Sequence, residues 1–128
     1  MVRIAVVGAH LSGMPLNHQL LERGAVIEST ARTAPDYRLY LLPDTQPAKP
    51  GLVRCGNGNG HGIEVEIWHM PVEHYGSFVA EIPPPLGIGT LKLADGTLVQ
   101  GFVCEAIAVD GARDISSFGG WRNFVLNR

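Results

Sequence analysis

The sequence predicts an α+β domain built on a mixed, curled sheet or small barrel, and three observations predict it. Seven or so short apolar stretches carry strand-like patterning, whereas only two short stretches show helical spacing. Hairpin-type turns, rather than regular helical crossovers, join most of those strands, which argues against a doubly wound parallel sheet. Sixteen glycines and nine prolines among 128 residues supply the tight turns that such a chain needs.

Taken in order, Arg3 to Gly8 reads as a buried, central strand, because Ile4, Ala5, Val6 and Val7 are apolar on both faces. Pro15 suits the first turn of a helix capped by Ser12 or Gly13, with Leu16 and Leu20 on one face and Gly24 as its stop. Residues 25–34 and 37–42 read as strands around Pro35-Asp36, and 43–50 as a proline-broken loop. Residues 52–55 and 63–68 are expected to pair as a hairpin across the glycine-rich stretch 56–62, with Ile63, Val65 and Ile67 inward and Glu64 and Glu66 outward. Pro71 opens a helix to about Ala80, where Val72, Tyr75 and Val79 recur at helical spacing, and Pro83-Pro84-Pro85 ends it. A second hairpin is expected from residues 90–93 and 98–109 across Ala94-Asp95-Gly96-Thr97, placing Glu105 on an apolar strand face. The tail from Asp114 holds Gly119-Gly120-Trp121 and one short helix.

Length fits a single domain over residues 1–128. A net charge of −2 gives no electrostatic footprint for nucleic acid, and no apolar run approaches the roughly 20 residues that cross a bilayer. With no leader-like segment ahead of them, Cys55 and Cys104 read as reduced thiols of a cytoplasmic protein. His18, His61, His69 and His74 are scattered without ligand spacing, so no metal and no other cofactor is expected.

The stretch from Val7 to Asn17 carries the chemistry. A strand that runs through glycines into a helix aims unpaired backbone N–H groups at one small volume, and a carboxylate fits there. Gly8, Ala9, Leu11, Ser12 and Gly13 are the candidate ligand-binding residues of that turn. Met14-Pro15 stands where a P-loop needs Lys-Ser/Thr, and Ala9-His10-Leu11 breaks a dinucleotide fingerprint, so neither ATP nor NAD is supported. His10 is the candidate proton-transfer group, since imidazole changes charge near neutral pH; a histidine that only bonds a loop carbonyl is the bland alternative. Ser12 lacks a nucleophile elbow and reads as a cap or carboxylate holder. Asn17 lies a turn beyond Gly13, where it either orients substrate or sits idle on a helix, and Tyr37 reads as core or pocket lining. Glu81 and Glu105 are carboxylates whose burial would raise their pKa.

Four stretches also carry a family likeness: residues 8–17 (Gly-Ala-His-Leu-Ser-Gly-Met-Pro-Leu-Asn), 33–40 (Thr-Ala-Pro-Asp-Tyr-Arg-Leu-Tyr), 82–90 (Ile-Pro-Pro-Pro-Leu-Gly-Ile-Gly-Thr) and 114–121 (Asp-Ile-Ser-Ser-Phe-Gly-Gly-Trp). In that order the chain resembles the C-terminal domain of allophanate hydrolase. The resemblance implies a gamma-glutamylcyclotransferase-like fold, a small carboxylate substrate and decarboxylation of N-carboxycarbamate, with His10 as catalytic proton donor and no cofactor. It also implies a separate amidase domain or subunit, whose serine and lysine machinery this sequence does not contain, and it is compatible with a homodimer. Glu81 falls near the catalytic glutamate of gamma-glutamylcyclotransferases, so a cyclotransferase is the rival enzyme. A non-catalytic carboxylate-binding or assembly module is the third reading.

Overall fold

The computed structural model describes residues 1–58 and 60–128. Its elements run β1 (Val2–Val6), α1 (His18–Leu21), β2 (Val26–Arg32), β3 (Tyr37–Leu41), β4 (Pro50–Arg54), β5 (Glu64–Met70), α2 (Val72–Ala80), β6 (Leu86–Lys92), β7 (Leu98–Cys104), α3 (Ala106–Val109), β8 (Arg113–Asp114), a 3₁₀ turn (Ser116–Phe118) and α4 (Trp121–Asn127). Five strands form one sheet in the order β2-β5-β1-β7-β6, and three form a second in the order β4-β3-β8. The α+β class with mixed, curled sheets is as expected, and β1 is central.

Ile4, Ala5 and Val6 are fully buried because β1 has strands on both sides: antiparallel β5, with Ile4 opposite Trp68, and parallel β7, with Ala5 opposite Gly101. A parallel neighbour needs a long crossover, and the whole of β2 to β6 serves as that connection. Gly101 is required by packing: a β-carbon there would press on Leu91 and Ala5. Ile67, Phe78, Leu91 and Phe124 complete a core in which each such side chain contributes roughly 1.5–3 kcal/mol of burial.

Three expectations fail, each for a nonlocal reason. Residues 52–55 and 63–68 do not form a hairpin: β4 pairs with β3, while β5 lies between β1 and β2 in the other sheet. Asn59, inside the expected turn, lies outside the described residues. The second hairpin begins earlier, at Leu86, and ends at Cys104; residues 106–109 are helical, so Glu105 is an exposed residue preceding α3 rather than part of a strand face. Glu66 is 4% exposed, not outward, because β5 is covered on both faces. No helix of the structure is long and apolar enough to cross a membrane among the described residues.

Candidate functional site

A cavity of about 170 Å³ opens where β1 leaves the sheet. Its walls come from five places in the sequence: Val7, Gly8, Ala9 and His10 after β1, Leu16 and Gln19 at α1, Gln46, Pro47, Lys49, Pro50 and Leu52 before and on β4, Glu81, Ile82, Pro83 and Leu86 between α2 and β6, and Phe102 on β7. Small-molecule pockets commonly run to roughly 300–1,000 Å³, so this smaller cavity suits a compact molecule of a few heavy atoms. Gly8 permits the closeness of the walls, since a β-carbon there would collide with the Pro50 ring.

The helix expected to start at Pro15 begins only at His18. The Leu11 amide donates to the Gly8 carbonyl at 3.0 Å, Met14 to Leu11 at 2.9 Å and Leu16 to Ala9 at 2.8 Å, a chain of tight turns with Gly13 at φ +80°. Only His18–Leu21 is α-helical, so the helix dipole does not contribute to the cavity as expected. What remains is a split set of amides. Leu11 bonds within the turn, and the Ser12 amide donates to Glu66 Oε1 at 2.8 Å. The Ala9 and His10 amides, both in cavity-lining residues, donate to no acceptor among the described residues. The far half of the turn thus already holds a carboxylate of the protein's own.

His10 is 8% exposed and sits in an aromatic slot, 5.3 Å from the Phe78 ring edge-on and 4.8 Å from Phe102. Its Nε2 lies 2.7 Å from Gln19 Oε1. Burial pushes its pKa below the ordinary imidazole value, and Lys49, His18 and Arg23 push the same way, against the bond to Gln19. The free protein therefore holds a neutral ring at pH 7. Lys49 lines the cavity and makes no ion pair among the described residues. Gln19 and Gln46 are the uncharged polar side chains that line the cavity with His10, and apart from Glu81 the remaining wall is mostly apolar.

Of the residues singled out from sequence, Gly8, Ala9, His10 and Glu81 come together around the cavity. Glu81 is half-exposed there, with the Arg23 guanidinium 3.2 Å away. Leu11, Ser12, Gly13, Asn17 and Tyr37 do not line it. Asn17 is buried, and its Nδ2 donates to the His10 carbonyl at 2.9 Å, which fixes the turn from behind. Tyr37 is a core residue whose hydroxyl accepts from the Lys92 amide at 3.0 Å. Ser12 is held by Glu66 through both its amide and its hydroxyl.

Sequence reasoning missed Gln19, Lys49 and Glu66. Lys49 arrives through a proline-rich loop with no periodicity to orient it, so only the fold brings it to His10. Gln19 lies nine residues beyond His10 and belongs to no motif in the sequence. Glu66 carries a signal: it shares the even-numbered face of β5 with Trp68, a large apolar side chain on the face that alternation points outward. Among the described residues no cluster of His, Cys, Asp and Glu could hold a metal ion.

Comparison with known proteins gives a consistent set of relatives. The family model described as "Allophanate hydrolase C-terminal domain" matches residues 2–126. A urea amidolyase of Lachancea kluyveri is 41% identical over 127 residues, 97% of this chain; the chain spans only 7% of that relative's length. The structure of Kluyveromyces lactis allophanate hydrolase superimposes with a TM-score of 0.92 at 41% identity, covering 98% of this chain and 21% of that one. A uropathogenic E. coli-specific protein of matching length superimposes with a TM-score of 0.88 at 32% identity, covering 99% of this chain and 97% of that one. A gamma-glutamyl cyclotransferase shares the fold alone, at 13% identity and a TM-score of 0.56, covering 88% of this chain and 69% of that one.

Proposed function

Given that this chain belongs to the allophanate hydrolase C-terminal domain family, we propose that its cavity decarboxylates N-carboxycarbamate to carbamate and CO₂, with His10 as the proton donor. The observation that carries the reading is the coincidence, at one small cavity, of the unpaired Ala9 and His10 amides, the Lys49 ammonium and a buried imidazole. Two anionic ends and one proton acceptor in a compact substrate match those three features.

In the reaction, one C–N bond of the dianion breaks, its electron pair stays on nitrogen, and CO₂ leaves. One proton must reach that nitrogen, giving carbamate, H₂N–CO₂⁻. The Ala9 and His10 amides hold the carboxylate that stays, and Lys49 offsets the second charge; fixed dipoles in a largely apolar cavity stabilise charge better than mobile water does. A neutral His10 becomes the donor only once the dianion is bound, because a nearby negative charge favours the imidazolium. Substrate binding therefore brings its proton into the site.

Glu81 is not the acid or base in this reading, since it lies half-exposed against Arg23, and its part is to hold the guanidinium that also donates to the Gln19 carbonyl. The substrate is supplied by an amidase acting on allophanate, either a separate protein or another domain. A coupled assay tests the reading: an amidase domain generates N-carboxycarbamate from allophanate, and CO₂ release is timed with and without this protein. Release faster than the spontaneous rate, and proportional to the amount of this protein, is expected. An unchanged rate would remove the proposed activity.

A further inference from the structure

The two ring nitrogens of His10 meet different surroundings. Nε2 lies 2.7 Å from the side-chain oxygen of Gln19, whereas Nδ1 has no hydrogen-bond partner among the described residues. The ring has little freedom to exchange them, wedged between Phe78 and Phe102 with its backbone carbonyl tied to Asn17. Gln19 is held in turn. Its backbone carbonyl accepts from Arg23 Nη1 at 2.9 Å, and the same guanidinium donates from Nε to Ser77 at 3.1 Å and lies 3.2 Å from Glu81. One guanidinium thus braces the segment carrying Gln19 against α2.

We propose that Gln19 is a positioning residue whose side-chain oxygen accepts a hydrogen bond from Nε2–H, fixing His10 in that tautomer and leaving Nδ1 as the nitrogen that takes up and hands over the proton. The inference rests on the reading of this cavity as one in which His10 protonates its ligand. An amide oxygen suits a ring that changes charge, because Nε2 carries hydrogen in both the neutral and the charged form and the bond survives the cycle. A carboxylate at position 19 would favour the charged ring throughout. The reverse amide orientation would place an NH₂ group against Nε2, require hydrogen on Nδ1, and oppose two donors whenever the ring is protonated. Three further cationic or titratable groups act on the ring, Lys49 from the loop before β4, His18 at the start of α1 and Arg23 just after it. Glu81, at the end of α2, is the anionic group in the cavity wall.

The test uses the full chain labelled with ¹⁵N in histidine, with His10→Asn identifying the His10 signals in long-range imidazole spectra. In the wild type the neutral ring is expected to carry hydrogen on Nε2. Gln19→Leu is expected to give a mixture of tautomers and to lower kcat about ten-fold with KM nearly unchanged. Gln19→Glu, close to isosteric and so a safeguard against a misfolded Leu variant, keeps Nε2–H, raises the pH at which the ring charges by about one unit or more, and moves the alkaline limb of the rate profile with it. Hydrogen on Nδ1 in the wild type, or a tautomer and a pH limb unmoved in both variants, overturns the proposal. The expected tautomers without any acceleration of CO₂ release would instead overturn the decarboxylation reading, and the assignment of Gln19 as the residue that sets the tautomer would stand.

Discussion

Replacing His10 with asparagine is expected to lower turnover of N-carboxycarbamate by about 10²- to 10⁴-fold, the usual contribution of a positioned proton donor, while substrate binding is expected to weaken far less. The asymmetry follows from the site. In the proposed reading, binding falls mainly to the Ala9 and His10 backbone amides and to Lys49, which the substitution leaves in place. Asparagine keeps a polar group opposite Gln19 and removes only part of the ring volume between Phe78 and Phe102, so the fold persists. Circular dichroism of the variant is expected to match the wild type. A folded His10→Asn protein with full turnover would show that the proton comes from elsewhere.

The largest loss of stability is expected from Glu66→Ala, at about 3 kcal/mol, seen as a fall in Tm on the order of 10 °C for a chain of this size. Glu66 Oε1 accepts from the Ser12 amide at 2.8 Å, the Ser12 hydroxyl at 3.1 Å and Trp68 Nε1 at 3.2 Å. Its second oxygen lies 3.3 Å from Arg122 Nη2, which also donates to the Ser12 carbonyl at 2.6 Å. One buried carboxylate therefore joins β1's exit turn, β5 and α4. Truncation leaves several donors without an acceptor. Arg122 is partly exposed and can recover water, which places the loss toward the lower end of what breaking a fully buried ion pair costs. Glu66→Gln keeps an acceptor oxygen and is expected to lose less than half as much. A thermal melt of each variant decides the point, and equal melting temperatures for wild type and Glu66→Ala would show that the network contributes nothing net. The same truncation frees the Ser12 half of the turn, so it is also expected to loosen the position of His10.

Much of this arrangement was legible in the chain. A run of four apolar residues entering a glycine turn gave a central β1, and the motif order gave the family. Turn chemistry was harder to read: Gly13 and Pro15 are as compatible with a helix start as with successive tight turns, and the choice went to the turns through the Asn17 and Glu66 contacts, which come from elsewhere in the fold. The 52–68 stretch looked like a hairpin because its two arms are close in sequence, yet each arm found a better-covering partner in a different sheet. Within the site, the local part was visible, namely Gly8, Ala9 and His10. Lys49 and Gln19 were not, because cavity walls gathered from five segments leave no periodic trace. Glu66 shows the limit of alternation as a guide: a strand covered on both faces can bury a charged residue provided that partners are waiting for its lone pairs.

The central claim is that this cavity grips a compact dianion and, in doing so, places a proton on His10. Malonate, which carries CH₂ where N-carboxycarbamate carries NH and so cannot react in the same way, probes it by titration calorimetry in two buffers of different ionisation enthalpy. His10 in the free protein titrates below the ordinary imidazole value, and a bound dianion raises it. Between those two values binding takes up a proton, so affinity falls as pH rises, by up to about ten-fold per pH unit, and below the free-state value, where His10 is protonated with or without ligand, affinity no longer depends on the titration of His10. At pH 7 the account predicts malonate binding with a fractional proton uptake, an uptake lost in His10→Asn, and much weaker binding of acetate. Malonate binding whose heat is the same in both buffers, or no malonate binding at all, would contradict it.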